Sequence, residues 1–132
     1  MKPTKSLALT KPDDWHVHLR SGEMLPKVLS DTATSFNRAI VMPNLSPPIR
    51  TTSDAVLYRR EIEAALEKNS DFTPLMTCYL TDETDPDDLI SGFTADVFSA
   101  AKLYPAGATT NSDSGVTNVL LLDSVFSAMS DA

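Results

Sequence analysis

Four short apolar segments recur along the chain and constrain its fold more strongly than any other feature of the sequence. They are residues 15–20, 38–43, 73–80 and 98–105. In the first, the apolar side chains of Trp15, Val17 and Leu19 alternate with polar ones, and this period of two predicts a β-strand. The other three are apolar runs without helical spacing, which predicts buried strands.

Helical patterns lie between these segments. From Ser53 to about Lys68, apolar side chains fall on one stripe, and Ser53 can cap the start of the helix. The stripe consists of Tyr58, Ile62, Ala65 and Leu66. Another helix is predicted to have Asp85 as its N-cap and Pro86 at its first position, and to stop at Gly92.

A last helix is predicted to begin near Val116. It is expected to direct four apolar side chains towards the core, namely Val119, Leu120, Phe126 and Met129. Because strands alternate with helices and most of the strands are apolar throughout, the pattern predicts parallel βα units. Such sheets and barrels bind ligands at the carboxyl ends of their strands, so polar side chains at those ends are candidate functional residues.

The composition excludes several classes of partner. The 132 residues include 18 acidic and 11 basic side chains, which gives a formal charge of −7. Such a chain lacks the basic surface that binds nucleic acid or an anionic membrane, so neither is expected as a partner. A lone cysteine, Cys78, cannot form an internal disulfide, and residues 1–10 contain no long apolar run, so we expect a cytoplasmic protein. No segment approaches the ~20 apolar residues that span a bilayer.

The only two histidines of the chain, His16 and His18, are separated by one residue. In a strand, residues i and i+2 point to the same face, about 6.6 Å apart along the axis, so both imidazoles can chelate one metal ion. Arg20 projects from the same face. The alternative is a pair of hydrogen-bonded histidines on an exposed strand, and the spacing alone does not decide between the two. Two ligands also leave a zinc ion incomplete, since catalytic sites use about three protein ligands.

Lys102 stands in the apolar context of the fourth segment. Such a lysine can bury its stem and keep its ammonium in water. Alternatively, desolvation can favour the neutral amine, which adds carbon dioxide to give a carbamate able to bridge two metals. Asn44, which follows Pro43, is either a turn residue or a polar group at a strand end. Cys78 is expected to be a small buried apolar group.

Four stretches together resemble a known family. They are "WHVHLR", "AIVMPNLSPP", "DFTPLMTCYLTD" and "AAKLYPAGATTNS", and they are similar to the amino-terminal part of bacterial dihydroorotases. The resemblance covers nearly all of the chain, from about Pro12 to Val116. That family belongs to the amidohydrolase superfamily of metal-dependent (β/α)8 TIM barrels, so the expected fold is α/β, with this chain forming about the first four βα units.

The resemblance implies a site with two zinc ions. His16 and His18 would bind the more buried zinc, and a carboxylated Lys102 would bridge both ions. Arg20 and Asn44 would hold the substrate carboxylate. The mobile loop that closes over the substrate would carry Thr109 and Thr110. The implied reaction is the reversible cyclisation of N-carbamoyl-L-aspartate to L-dihydroorotate in pyrimidine biosynthesis, and the complete enzyme is expected to be a homodimer.

Two departures from the family pattern limit these expectations. Position 21 is Ser21, where an aspartate is expected beside the arginine. More importantly, a barrel needs roughly 250 residues, so residues 1–132 are interpreted as the amino-terminal portion of one incomplete barrel domain. The remaining histidine ligands and the aspartate that serves as general base are absent, so no residue here is assigned as catalytic and the segment alone is expected to be inactive. Two alternatives stay open: a non-catalytic binding or assembly module derived from the enzyme, and another cyclic amidase such as a hydantoinase or allantoinase.

Overall fold

The computed structural model describes residues 6–132. Within that range it contains one parallel four-stranded sheet, formed by β1 (Asp13–Val17), β2 (Arg38–Val41), β3 (Thr73–Leu80) and β4 (Phe98–Leu103). The described helices are α1 (Leu25–Ser35), α2 (Thr52–Ala65), α3 (Pro86–Thr94) and α4 (Asp123–Asp131). Two short 3-10 turns, Gly22–Met24 and Val119–Leu122, precede α1 and α4. In the described residues, no helix is long and apolar enough to span a membrane.

The strands pair in the order in which they occur along the chain, β1-β2-β3-β4. All three pairings are parallel, with Val17 opposite Val41 and Tyr79 opposite Lys102. A sheet without a reversal of strand order is typical of a barrel wall, whereas doubly wound sheets reverse their order at a switch point. The predicted parallel βα units are therefore confirmed.

One apolar cluster joins the helices to the sheet. Its buried members include Leu29 of α1, Ile62 of α2, Leu89 of α3, Val125 of α4 and Met76 of β3. Cys78 is also buried there, as the sequence predicts. Tyr79 and Tyr104 are buried too, but they lie outside this cluster and stack on each other with ring centroids 5.1 Å apart.

Helix α1 was not assigned from the sequence. Its buried residues Leu25, Leu29 and Thr32 follow helical spacing, and Pro26 lies in its first turn, so a local signal was present. The expected cap of α2 was wrong by two residues. Thr51, and not Ser53, is the N-cap, because its hydroxyl accepts from the Asp54 backbone while the Asp54 carboxylate accepts from the Thr51 backbone.

Helix α3 begins as predicted, with Asp85 as N-cap and Pro86 in the first turn. The predicted stop at Gly92 is wrong, because the helix continues to Thr94. Gly92 instead permits close packing: a Cβ at this position would press on the Phe98 ring and lie 2.7 Å from the Thr52 hydroxyl oxygen.

The prediction for the last helix was also wrong at its start. Val116 is buried and forms an isolated parallel bridge with Pro105, and α4 begins only at Asp123, after a 3-10 turn. This later start changes which side chains face the core. Val119, Leu120 and Phe126 are exposed, whereas Leu122 and Val125 are buried and Met129 packs against the core.

We predict that Gly92→Ala lowers the free energy of unfolding by about 1–3 kcal/mol, because the added methyl group overpacks the contact between α3, β4 and α2. Ser91→Ala, at an exposed neighbouring position of α3, is the control and is expected to change it by less than about 0.5 kcal/mol. Urea denaturation of both variants, each carried in a complete barrel that contains this segment, measures the difference. Equal effects would show that Gly92 is not needed for this packing.

Candidate functional site

The two histidines lie at the carboxyl end of β1. His16 is in the strand, His18 follows it, and their Nε2 atoms are 3.2 Å apart. Two nitrogen ligands of one tetrahedral zinc, each at 2.0–2.1 Å, are separated by about 3.3 Å. The pair therefore has the spacing of a zinc chelate. The same distance also suits a hydrogen bond from one imidazole to the other, which was the alternative left open by the sequence.

The surroundings of His18 favour its neutral form. Burial lowers the pKa of this imidazole, and the positive charges of Arg20, His16 and Lys102 lower it further, while the Asn44 side chain partly opposes the shift. A neutral imidazole keeps the lone pair that a metal requires. Arg20 follows His18 by two residues, and Asn44 and Lys102 belong to the carboxyl ends of β2 and β4, on the same edge of the sheet.

Arg20 is held in position through its backbone. It adopts a left-handed conformation with φ of 65°, and its carbonyl accepts a short hydrogen bond from the Tyr58 hydroxyl of α2. Burial raises the pKa of Tyr58 above its ordinary value, so this hydroxyl remains a donor. Among the described residues the only ion pair joins Arg38 to Asp13. The Arg20 guanidinium therefore has no carboxylate partner in that part of the chain.

Lys102 lies on β4, opposite Tyr79 of β3. Its side chain is half-buried, and its Nζ lies 5.4 Å from the centroid of the Tyr104 ring. Tyr104 is two residues further along the chain, and in the described residues its buried hydroxyl has no hydrogen-bond partner. The lysine therefore lies beside two stacked tyrosine rings, in contact with Tyr104.

Asn44 contacts the loop that carries the two predicted threonines. Its side-chain Nδ2 donates to the Thr110 carbonyl over 2.9 Å, and its own carbonyl accepts from Asn111 Nδ2 over 3.0 Å. Asn44 is buried, whereas Thr109 and Thr110 are exposed. The structure thus brings the segment containing Thr109 and Thr110 to the end of β2, where the sequence predicted a polar site.

The described residues supply only part of the ligand set that a metal ion requires. No group of three or more histidine, cysteine, aspartate or glutamate side chains is close enough there to hold a metal ion. His16 and His18 supply two nitrogen ligands at suitable spacing, and Lys102 can supply oxygen ligands only after carboxylation.

The sequence did not identify four residues whose hydrogen bonds support the site. These are Tyr58, which was assigned only to an apolar helical stripe, and Tyr79, Asn111 and Ser112. Asn111 and Ser112 belong to a polar loop that was recognised as a whole, so their individual roles had no distinct signal. The tyrosines act through contacts between residues distant in sequence.

Together, the fold and this site define a segment of an α/β barrel with polar groups gathered at the carboxyl ends of its strands. No protein-family model matches the chain. It is 58% identical over 129 residues to a dihydroorotase of Erythrobacter litoralis, which covers 98% of this chain and 38% of the relative. It is 59% identical over 116 residues to a dihydroorotase of Jannaschia sp., covering 88% of this chain and 33% of the relative.

The solved structures similar to this chain include dihydroorotases as well. The chain superposes on a dihydroorotase from Campylobacter jejuni with a TM-score of 0.82 and 39% identity, over 92% of this chain and 35% of that one. A Saccharomyces cerevisiae dihydroorotase in complex with 5-fluoroorotic acid also gives a TM-score of 0.82, with 32% identity over 91% of this chain and 33% of that one.

By sequence and by fold, the chain is therefore homologous to dihydroorotases, as its motifs indicated. It spans about a third of the length of these relatives. The expected fold class is confirmed: this is part of a TIM barrel, with four parallel strands in the described residues.

We predict that Tyr58→Phe lowers the free energy of unfolding by about 1–2 kcal/mol, because it leaves the carbonyl of half-buried Arg20 without its donor. Tyr104→Phe is the matched control, since the buried Tyr104 hydroxyl has no hydrogen bond within residues 6–132. Its removal is expected to leave the free energy of unfolding unchanged or to raise it, because no hydrogen bond is lost. Chemical denaturation compares the two variants, each carried in a complete barrel that contains this segment. A cost for Tyr104→Phe as large as that for Tyr58→Phe would contradict the role given to Tyr58.

Proposed function

We propose that this segment, within a complete barrel, takes part in the reversible cyclisation of N-carbamoyl-L-aspartate to L-dihydroorotate. One observation carries the proposal. The Nε2 atoms of His16 and His18 have zinc-chelate spacing in a chain homologous to dihydroorotases, and Arg20, two residues after His18, has no carboxylate partner among the described residues.

In this proposal His16 and His18 hold the more buried of two zinc ions, and carboxylated Lys102 bridges the pair. Lys102 lies at the carboxyl end of β4, on the same edge of the sheet as His18 after β1, which supports a shared site. Bound zinc would polarise the substrate carbonyl and provide a hydroxide nucleophile near neutral pH. The chain's contribution is to supply two imidazoles at the required spacing and an amine able to form the bridging carbamate.

The substrate would be held by groups at the ends of β1 and β2. The Arg20 guanidinium suits a carboxylate, because its planar fork donates two parallel hydrogen bonds. Asn44 adds a neutral amide, and the loop with Thr109 and Thr110 lies against it and can exclude water. Arg20 also adds a positive charge to the site within a chain of net charge −7, which favours an anionic substrate.

The general base and further metal ligands are proposed to lie outside these 132 residues, in the rest of one barrel domain. We further propose a homodimeric, cytoplasmic enzyme. The single cysteine of these 132 residues supports a reducing compartment, since it cannot form an internal disulfide. A hydantoinase, an allantoinase or a non-catalytic module would each give a different result in the following experiments.

These experiments use a whole barrel, meaning residues 1–132 joined to the part of the Erythrobacter litoralis relative that lies outside the match. We predict that Arg20→Ala in the whole barrel weakens the binding of dihydroorotate by roughly ten- to a hundredfold, because a charge-assisted contact worth about 1.5–3 kcal/mol is lost. Zinc content should be unchanged. Arg60→Ala, on the exposed surface of α2, is the matched control and should alter neither quantity.

Loss of zinc without loss of affinity in Arg20→Ala would contradict the division of roles between Arg20 and the histidines. Turnover of hydantoin or allantoin in preference to dihydroorotate would favour another cyclic amidase.

We predict that residues 1–132 expressed alone neither turn over dihydroorotate nor form a stable monomer. In the described residues β1 and β4 each pair on one side only, and unpaired edges invite association with other chains. Size-exclusion chromatography, zinc analysis and a turnover assay, run beside the whole barrel, test this. An active monomer would refute the prediction, and a stable inactive monomer would favour the non-catalytic module.

A further inference from the structure

The loop after β4 is folded around one buried hydroxyl. Ser112 is fully buried, and its Oγ donates to the Thr109 carbonyl over 2.7 Å while accepting from the Thr109 amide over 2.9 Å. The Ser112 carbonyl accepts from the amides of Gly107 and Gly115. These contacts give the loop a defined shape of its own, but they do not by themselves attach it to the strand ends where the candidate site lies.

Asn111 supplies that attachment at two points. Its side-chain amide donates to the Asn44 carbonyl over 3.0 Å, and its own carbonyl accepts from the Tyr79 hydroxyl over 3.2 Å. Asn44 and Tyr79 are both buried and belong to the ends of β2 and β3. The Asn44 side chain returns a hydrogen bond to the Thr110 carbonyl.

The backbone of Asn111 suits this position. Its φ of 54° lies in the left-handed region, which asparagine tolerates better than most other residues. Asparagine thus meets two requirements here, since it accepts the backbone conformation and carries the amide donor. Glycine would meet only the first, and aspartate would meet the first while placing a carboxylate oxygen against the Asn44 carbonyl.

We propose that Asn111 is a positioning residue that fixes Thr109 and Thr110 over the substrate site by fastening their loop to Asn44 and Tyr79. The proposal rests on the proposed function for its effect on substrate. The closed loop is then maintained by the chain's own hydrogen bonds. When a binding-competent state is only partly populated, the apparent affinity falls in proportion to that population, so weakening the attachment weakens substrate binding.

The test compares Asn111→Asp and Asn111→Gly in the whole barrel. Both keep the left-handed backbone accessible and remove the amide donor, so a shared effect reports the lost contact and not backbone strain. Ser114→Ala is the matched control, because Ser114 is exposed in the same loop. Tyr79→Phe removes the second attachment point while keeping the aromatic ring.

We expect hydrogen–deuterium exchange of residues 106–115 to accelerate in both Asn111 variants and in Tyr79→Phe, but not in Ser114→Ala. The KM for dihydroorotate should rise about three- to tenfold in the Asn111 variants, more than kcat falls, as expected for the loss of one hydrogen bond. Zinc content should stay at the parent level, which separates positioning from general loss of structure.

Unchanged loop exchange in the Asn111 variants would overturn the proposal, as would a KM no different from that of Ser114→Ala. A parent whole barrel that binds zinc but does not turn over dihydroorotate would overturn the proposed function and the substrate role of the loop. The exchange measurement would then still decide whether Asn111 holds Thr109 and Thr110 in place.

Discussion

Parallel pairing of four consecutive strands is the constraint on which the rest of the structure depends. Because β1, β2, β3 and β4 run in the same direction and in chain order, their carboxyl ends meet at one edge. His18, Asn44 and Lys102 are far apart in sequence, yet this pairing places all three at carboxyl ends of strands, on one edge of the sheet. Polar residues that are separate in the sequence are thereby gathered at one edge of the sheet, where the candidate site lies.

The site also depends on contacts that fix backbone positions around it. The Tyr58 hydroxyl holds the Arg20 carbonyl, and Asn111 holds the Asn44 carbonyl. In both cases a side chain distant in sequence anchors the backbone of a residue proposed to bind substrate. These contacts fix the backbones of Arg20 and Asn44 and do not use the polar side chains proposed to bind substrate.

Much of the sheet could be predicted because its signals are local. The bounds of β3 agree with the predicted residues 73–80, since an apolar run there ends where polar residues begin. The errors arose where pairing or packing overrides local pattern. β1 ends at Val17 because its pairing with β2 ends there, although the alternation continues to Arg20. Val116 looked like a helix start, but it pairs with Pro105.

The candidate site was predictable in its residue types and less so in its geometry. The spacing of His16 and His18 indicated a shared face, and the 3.2 Å separation of their Nε2 atoms is consistent with the chelate hypothesis. The attachment of Asn111 to Asn44 spans 67 residues of sequence, and that of Tyr58 to Arg20 spans 38. No local pattern encodes contacts of that range, because they exist only once the strands have paired.

A crystal structure of the whole barrel with zinc, collected at the zinc absorption edge, tests the central claim most directly. We expect two zinc peaks, one of them within about 2.0–2.1 Å of Nε2 of both His16 and His18. Continuous density from Lys102 Nζ to a bridging carbamate should join the two peaks. A direct hydrogen bond between the two imidazoles, with a bare Lys102 ammonium and no zinc between the histidines, would contradict the account.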